Sequence, residues 1–130
     1  MLNIFNLSLR LNGFPIQEAK KKLDEILEIP ETEYENYVNQ KKKEIVNFHK
    51  ENNTFYRDLV GQITFEKWED LPIMKKSDFQ KPLIERLSKG FTDKNVYINK
   101  TSGSSGDPMV FAKDKFCHAL IWANIMRRFN

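Results

Sequence analysis

Apolar positions along the chain recur first at helical and then at strand spacing. Ile16, Ala19, Leu23, Ile26 and Leu27 predict an amphipathic helix from Pro15 to about Glu28. Pro15 suits a first helical position and Pro30 ends the run. Upstream, residues 2–12 fit a short helix or a short strand, closed by Gly13. Downstream, Thr32 and Glu35 form a capping-box pattern. Tyr34, Tyr37, Val38, Ile45 and Phe48 fall near one face of the helix it would open. Asn52-Asn53 breaks that helix, and Phe55, Tyr56, Leu59 and Val60 predict a short amphipathic turn. Thr64 is placed to cap a short helix through Trp68, interrupted by Pro72. Ser77 is placed to cap another, with Phe79, Leu83, Ile84 and Leu87 as its buried side and Gly90 as its stop.

The period then changes. Asn95-Val96-Tyr97-Ile98-Asn99 reads as a strand and Met109–Ala112 as a returning strand. Asp114 is a candidate cap for a last helix, with Phe116, Leu120, Ile121, Ile125 and Phe129 on or near one side. The expected fold class is α/β, in α+β form over this length. N-terminal helices lead to a β-hairpin carrying a Ser/Gly loop, followed by a further helix. Residues 1–90 form a mainly helical region, and residues 91–130 a strand, loop, strand and helix. There is no internal repeat and no low-complexity block.

The loop between the strands carries the candidate chemistry. Residues 101–108, Thr-Ser-Gly-Ser-Ser-Gly-Asp-Pro, are all small, hydroxylic or turn-forming, apart from the acidic Asp107. Small residues let a backbone approach an anion, and successive N–H groups in such a turn form a nest for phosphate oxygens. The hydroxyls of Thr101, Ser102, Ser104 and Ser105 add donors without bulk. A Walker A loop is excluded, because only two residues separate Gly103 from Gly106 and no Gly-Lys-Ser/Thr follows. On composition alone, such a stretch is more often a flexible linker or hairpin loop.

Thr-Ser-Gly-Ser-Ser-Gly-x-Pro resembles the phosphate-binding signature of the adenylate-forming enzymes, which include acyl-CoA synthetases and nonribosomal peptide adenylation domains. Two upstream segments narrow the likeness. Trp68-Glu69-Asp70-Leu71-Pro72-Ile73-Met74-Lys75-Lys76-Ser77-Asp78-Phe79 is similar to the Leu-Pro, Lys, Asp segment that precedes the loop in this group. Asn53-Thr54-Phe55-Tyr56-Arg57 resembles its Pro-Phe-Tyr-Arg segment. Together they resemble the start of a phenylacetate–coenzyme A ligase relative, nearest to the CapK-type proteins of capsular polysaccharide gene clusters.

That resemblance implies ATP-dependent activation of a carboxylic acid with release of pyrophosphate, and work in capsular or surface polysaccharide synthesis. Coenzyme A or another acyl acceptor would take the product. Thr101, Ser102, Gly103, Ser104, Ser105 and Gly106 would cradle ATP, and Mg2+ would bridge its phosphates. No catalytic residue is implied within the chain. The family's metal ligand, acyl pocket and lysine-bearing C-terminal domain would lie beyond it, so the chain would be an N-terminal portion, inactive alone. The apolar helical pattern running to Asn130 without a stop signal agrees with that expectation. One departure stands out. Many relatives carry Lys at the position of Asp107, and often again where this chain has Met109. Lys100 or Lys113 would have to compensate.

Charge and cysteine set the outer limits. The chain has 130 residues and a net charge of +3. Residues 1–52 carry 8 basic and 9 acidic side chains, and residues 53–130 carry 13 and 9, so the basic excess lies with the loop. A nucleic-acid partner would require a denser basic patch. The single Cys117 excludes an intramolecular disulfide and suits a reducing cytoplasm. Neither a signal peptide nor a transmembrane run is evident. Cys117, His49 and His118 offer no metal cluster. Both histidines read as ordinary helix residues, and Cys117 as buried and inert. The Lys20–Lys22 and Lys41–Lys43 triplets read as solvated helix faces. Two function classes follow: an AMP-forming ligase, or a small helical interaction module whose Ser/Gly loop only joins a hairpin.

Overall fold

A computed structural model describes residues 4–61, 65, 67–102, 106 and 108–129. Six α-helices and two strands occur among them: α1 (Ile4–Leu11), α2 (Ile16–Leu27), α3 (Glu31–Asn52), α4 (Thr54–Val60), α5 (Leu83–Arg86), β1 (Val96–Lys100), β2 (Val110–Asp114) and α6 (Lys115–Arg128). Two 3-10 turns, Trp68–Asp70 and Lys76–Gln80, lie between α4 and α5. The architecture is mixed: helices plus one two-stranded antiparallel sheet.

The main core forms where α2 meets α6. Ile16, Ala19, Ala119 and Ala123 are buried there with Leu9 of α1. The alanines let the two helices approach closely, since side-chain size at the contact sets interaxial distance. Phe14, Leu23, Phe116, Leu120, Trp122 and Met126 pack around that centre. At the edge of the same contact, Arg127 Nη1 pairs with Asp24 Oδ1 at 2.9 Å. Both groups are well exposed, so the pair adds little stability.

The turn from α1 into α2 is a Schellman motif. The Gly13 amide donates to the Arg10 carbonyl at 2.9 Å, and the Phe14 amide donates to Leu9 at 2.9 Å. Gly13 takes φ 76°, which that motif requires and which side chains disfavour. Lys115, opening α6, donates from Nζ to the Asn12 carbonyl at 3.2 Å. The first and last helices are thereby tied at one point.

In the middle of the chain Val46, Val60, Asn53 and Ser88 are all at most 7% exposed. Asn53 ends α3 and begins α4. Its Oδ1 accepts the Tyr56 amide at 2.9 Å. Its Nδ2 donates to the Arg86 carbonyl at 2.9 Å and to Ser88 Oγ at 3.1 Å. The Lys89 amide donates to the Asn52 carbonyl at 2.7 Å, so the segment after α5 is sewn to the end of α3.

Several expectations are corrected. The Thr32–Glu35 capping box does not form: α3 begins at Glu31, and Pro30 before it has no side-chain acceptor. Pro15 precedes the first helical residue rather than occupying it. Ser77 caps nothing. Asp78 instead folds back on the Lys75 amide at 2.6 Å. The helix expected from Ser77 to Gly90 is cut, because Pro82 drives Lys81 to ψ 147° and leaves only α5. Ile84 is exposed as a result. On α2, Leu27 faces solvent, and on α3 the buried residue is Val46 rather than Tyr34, Ile45 or Phe48. On α6 the buried stripe is Ala119 and Ala123, while Ile121 and Phe129 are exposed. Thr64 lies outside the described residues. Other expectations agree. Asp114 caps α6 by accepting the Cys117 amide at 2.5 Å. Both strands are present, β1 extending to Lys100 and β2 running from Val110 to Asp114.

Candidate functional site

The register Val96↔Asp114 through Lys100↔Val110 brings the ends of the Ser/Gly stretch together. The Thr101 amide donates to the Met109 carbonyl at 3.0 Å. The Met109 amide returns a bond to Thr101 Oγ1 at 2.9 Å, replacing the backbone oxygen a ladder would use. Thr101 therefore pins the neck of the loop, and its hydroxyl hydrogen stays available to donate. Thr101 and Ser102 are exposed. Gly106 is exposed at φ 118°, and a Cβ built there meets nothing within 4 Å. Gly103, Ser104, Ser105 and Asp107 lie outside the described residues.

Of the two lysines considered beside this loop, Lys100 is the one at its mouth, exposed and adjacent to the Thr101–Met109 neck. Lys113 pairs in register with Tyr97, three residues from Lys100 and thus about 10 Å along the strand. Its Nζ lies 5.7 Å from the Phe111 ring centre. Among the described residues no group of His, Cys, Asp or Glu side chains is arranged to hold a metal ion.

A second candidate site is an open groove of about 860 Å3. It is walled by α3, α4, the 3-10 turns, α5 and β2. Strand geometry shows which edge of β2 faces it. The Thr101–Met109 bond directs the Met109 carbonyl to β1, so alternation turns Val110, Ala112 and Asp114 to the opposite edge. Arg86 reaches that edge, donating from Nη2 to the Val110 carbonyl at 2.8 Å. Its Nε donates to the Lys81 carbonyl at 2.8 Å. Ala112, Phe111 and Arg86 all line the groove.

His49 and Ser88 also line it, with Nδ1 and Oγ 3.1 Å apart. Ser88 Oγ accepts from Asn53 Nδ2 at 3.1 Å, and the direction of its bond with His49 Nδ1 follows the imidazole tautomer. Burial lowers the His49 pKa, keeping the ring neutral near pH 7. Burial likewise lowers Arg86 and raises Tyr56.

Cys117 is exposed rather than buried, opening onto the groove. Desolvation by the walls, and then the Asp114 carboxylate, push its thiol pKa up, which disfavours the reactive thiolate. His118 is more than an ordinary helix residue. Its ring stacks on Tyr97, and its Nε2 accepts from Trp122 Nε1 at 3.0 Å. The lysine triplets are surface groups: Lys22 pairs with Glu25 and Lys41 with Glu44.

The groove was not legible from sequence. Ser88 and His49 are 39 positions apart, and no local spacing links them. Asn53 did carry a signal, since asparagine before Thr54 is a favoured helix cap. No helix among the described residues is long and apolar enough to cross a membrane. Comparison of the chain with protein-family models, curated proteins and solved structures finds no match.

Proposed function

We propose that this chain is the N-terminal part of an ATP-dependent, AMP-forming carboxylate ligase of the phenylacetate–coenzyme A ligase type. In this reading the antiparallel strands carry a phosphate loop at residues 101–106 and begin the large domain. The reading rests on the Thr-Ser-Gly-Ser-Ser-Gly-x-Pro resemblance. The observation that supports it best is the pinned neck: Thr101 closes the loop onto Met109 while keeping a hydroxyl hydrogen to donate. The positive φ of Gly106 and the exposed charge of Lys100 suit the same task.

In the reaction, a carboxylate oxygen attacks the α-phosphorus of ATP. The α–β phosphoanhydride bond breaks and pyrophosphate leaves. Amides and hydroxyls of Thr101, Ser102, Gly103, Ser104, Ser105 and Gly106 hold the β- and γ-phosphate oxygens through that step. Mg2+, arriving with ATP, neutralises phosphate charge. An acyl acceptor such as coenzyme A then takes the acyl group, and capsular or surface polysaccharide synthesis is the setting. The chain alone binds ATP without turning it over, because the family's acyl pocket and lysine-bearing domain are not among its residues.

Calorimetric titration of the 130-residue chain with Mg·ATP tests this. Saturable binding that weakens in Ser104→Ala/Ser105→Ala supports the loop. No binding, or equal binding by the double variant, leaves the loop a connector. That outcome favours the second reading, a helical interaction module, for which the open apolar groove is the supporting observation.

A further inference from the structure

The hairpin by itself holds the neck of the loop weakly. Thr101 gives its amide to the Met109 carbonyl and its hydroxyl oxygen to the Met109 amide, and Thr101 is exposed to competing water. The ladder cannot continue past that pair into the loop, because Pro108 brings no N–H. The next residue along β2, Val110, stands opposite Lys100 in the register, and its carbonyl points away from β1. Support for the stem must come from the outer edge of β2.

Arg86 supplies it. Its Nη2 donates to the Val110 carbonyl at 2.8 Å while its Nε donates to the Lys81 carbonyl at 2.8 Å. The guanidinium is planar and its donors form a fixed fork, so the two carbonyls are set relative to each other. The Phe79 ring lies 5.7 Å from the central carbon. Among the described residues no carboxylate pairs with Arg86, so none draws it from the two carbonyls. The backbone of Arg86 is anchored in turn. Asn53 Nδ2 donates to its carbonyl at 2.9 Å, and Asn53 is only 5% exposed and caps α4. A line of bonds thus runs from buried Asn53 through Arg86 to Val110, the residue next to the neck.

We infer that Arg86 is a positioning residue for the Ser/Gly loop, holding Val110 from the outer edge of β2 so that the Thr101–Met109 neck keeps one shape. Thr101 fixes the inner edge of the stem and Arg86 the outer edge. Arg86 acts through Val110 and is assigned no phosphate contact of its own. Donors held out of place lose their hold on a ligand steeply, so a loosened stem weakens the whole loop. That consequence for phosphate rests on the loop reading above, whereas the clamp on the neck does not.

The test is amide hydrogen exchange of the 15N-labelled chain, with calorimetric titration by Mg·ATP, in the parent, Arg86→Gln, Arg86→Lys and Arg127→Gln. Arg86→Gln should speed exchange at Thr101 and Met109 about tenfold or more, by local opening. Tyr97 and Lys113, the rung nearest α6, should exchange as in the parent. Mg·ATP affinity should fall about tenfold. Arg86→Lys lacks the fork and should lie between. Arg127→Gln loses the same charge at the far end of α6 and should match the parent in both measurements. Equal acceleration at Thr101, Met109, Tyr97 and Lys113 means general loosening and overturns the proposal. Unchanged neck exchange in Arg86→Gln overturns it too, as does unchanged Mg·ATP affinity beside a faster neck. Should Arg86→Gln fail to fold, Arg86→Lys decides by the same comparison. A parent that binds no Mg·ATP sinks the loop reading alone, and acceleration confined to the neck then still supports the clamp.

Discussion

The Tyr97 ring of β1 stacks on the His118 imidazole of α6, with ring centres 3.6 Å apart and planes 21° apart. The contact fixes the sheet to the last helix. Burial of the imidazole, and then the charge of Lys113, lower its pKa. His118 Nε2 accepts from Trp122, so protonation there would oppose two N–H groups. Phe14 covers the ring at 5.0 Å, and Lys113 adds a like charge nearby.

Stability should therefore depend on pH through the histidines. Burial and then Lys113 lower the His118 pKa below its ordinary 6.5, and burial lowers His49. The unfolded chain then binds more protons than the folded one as pH falls below that value. The stabilisation is whole above about pH 6.5 and is lost as pH drops toward the depressed folded values. Thermal midpoints from pH 7.5 to 5 should fall, and His118→Gln should flatten part of that slope. A midpoint independent of pH in this window contradicts the assignment.

Asn53→Ala should be among the most damaging single changes. It removes the α4 cap and the donors that satisfy Arg86 O and Ser88 Oγ, at a site 5% exposed. A lost cap costs about 1 kcal/mol and each unsatisfied buried partner about 1–3 kcal/mol. The urea midpoint should drop accordingly. Asn53→Asp should keep the cap but still destabilise, because a carboxylate cannot donate to either oxygen.

Gly13→Ala should cost roughly 1–2 kcal/mol from its positive φ alone. The new Cβ would also come within 3.0 Å of Lys115 Nζ, displacing a flexible side-chain end and its bond to Asn12. Gly13→Asn should cost less, since asparagine tolerates this conformation. Chemical denaturation of both variants gives the order.

For the loop, Gly106→Val should lower ATP affinity more than Ser104→Ala/Ser105→Ala. A β-branched side chain resists φ 118°, whereas the alanines remove only hydroxyl donors. Each lost bond to a charged oxygen is worth about 1.5–3 kcal/mol, or about tenfold and more in affinity. Asp107→Lys should hold or improve binding by removing a negative charge beside the phosphates. Unfavourable binding by Asp107→Lys would place that residue's charge elsewhere in the loop's work.

What could be read in advance was what local spacing determines. The Ile16–Leu23 stripe, the Asp114 cap and the change to strand period at Val96 each depend on neighbours within a few residues. The Thr32–Glu35 pair marked the start of α3 in the pattern, whereas the helix begins at Glu31, directly after Pro30. Ser77 and Gly90 read as the two ends of one helix, which Pro82 between them cuts short. The pairing of Ala19 with Ala119 and Ala123 is tertiary, so larger apolar residues on α6 looked like its buried side. The Ser/Gly stretch was legible as the connection of a hairpin. The Arg86 groove was not, because β2, α3 and α5 meet only after folding.

The two bonds that join the ends of the chain, Lys115 to Asn12 and Arg127 to Asp24, each span 103 positions. They mark a core whose halves are made at opposite times of synthesis. Ile16 and Ala19 leave the ribosome early, but the face that covers them is translated about 100 residues later. At roughly 5–20 residues per second, that wait is on the order of 5–20 s. Throughout it, α1 and α2 present an uncovered apolar stripe in the crowded cell. Synonymous changes that slow translation before Lys115 should therefore lower the yield of folded protein without altering a single side chain.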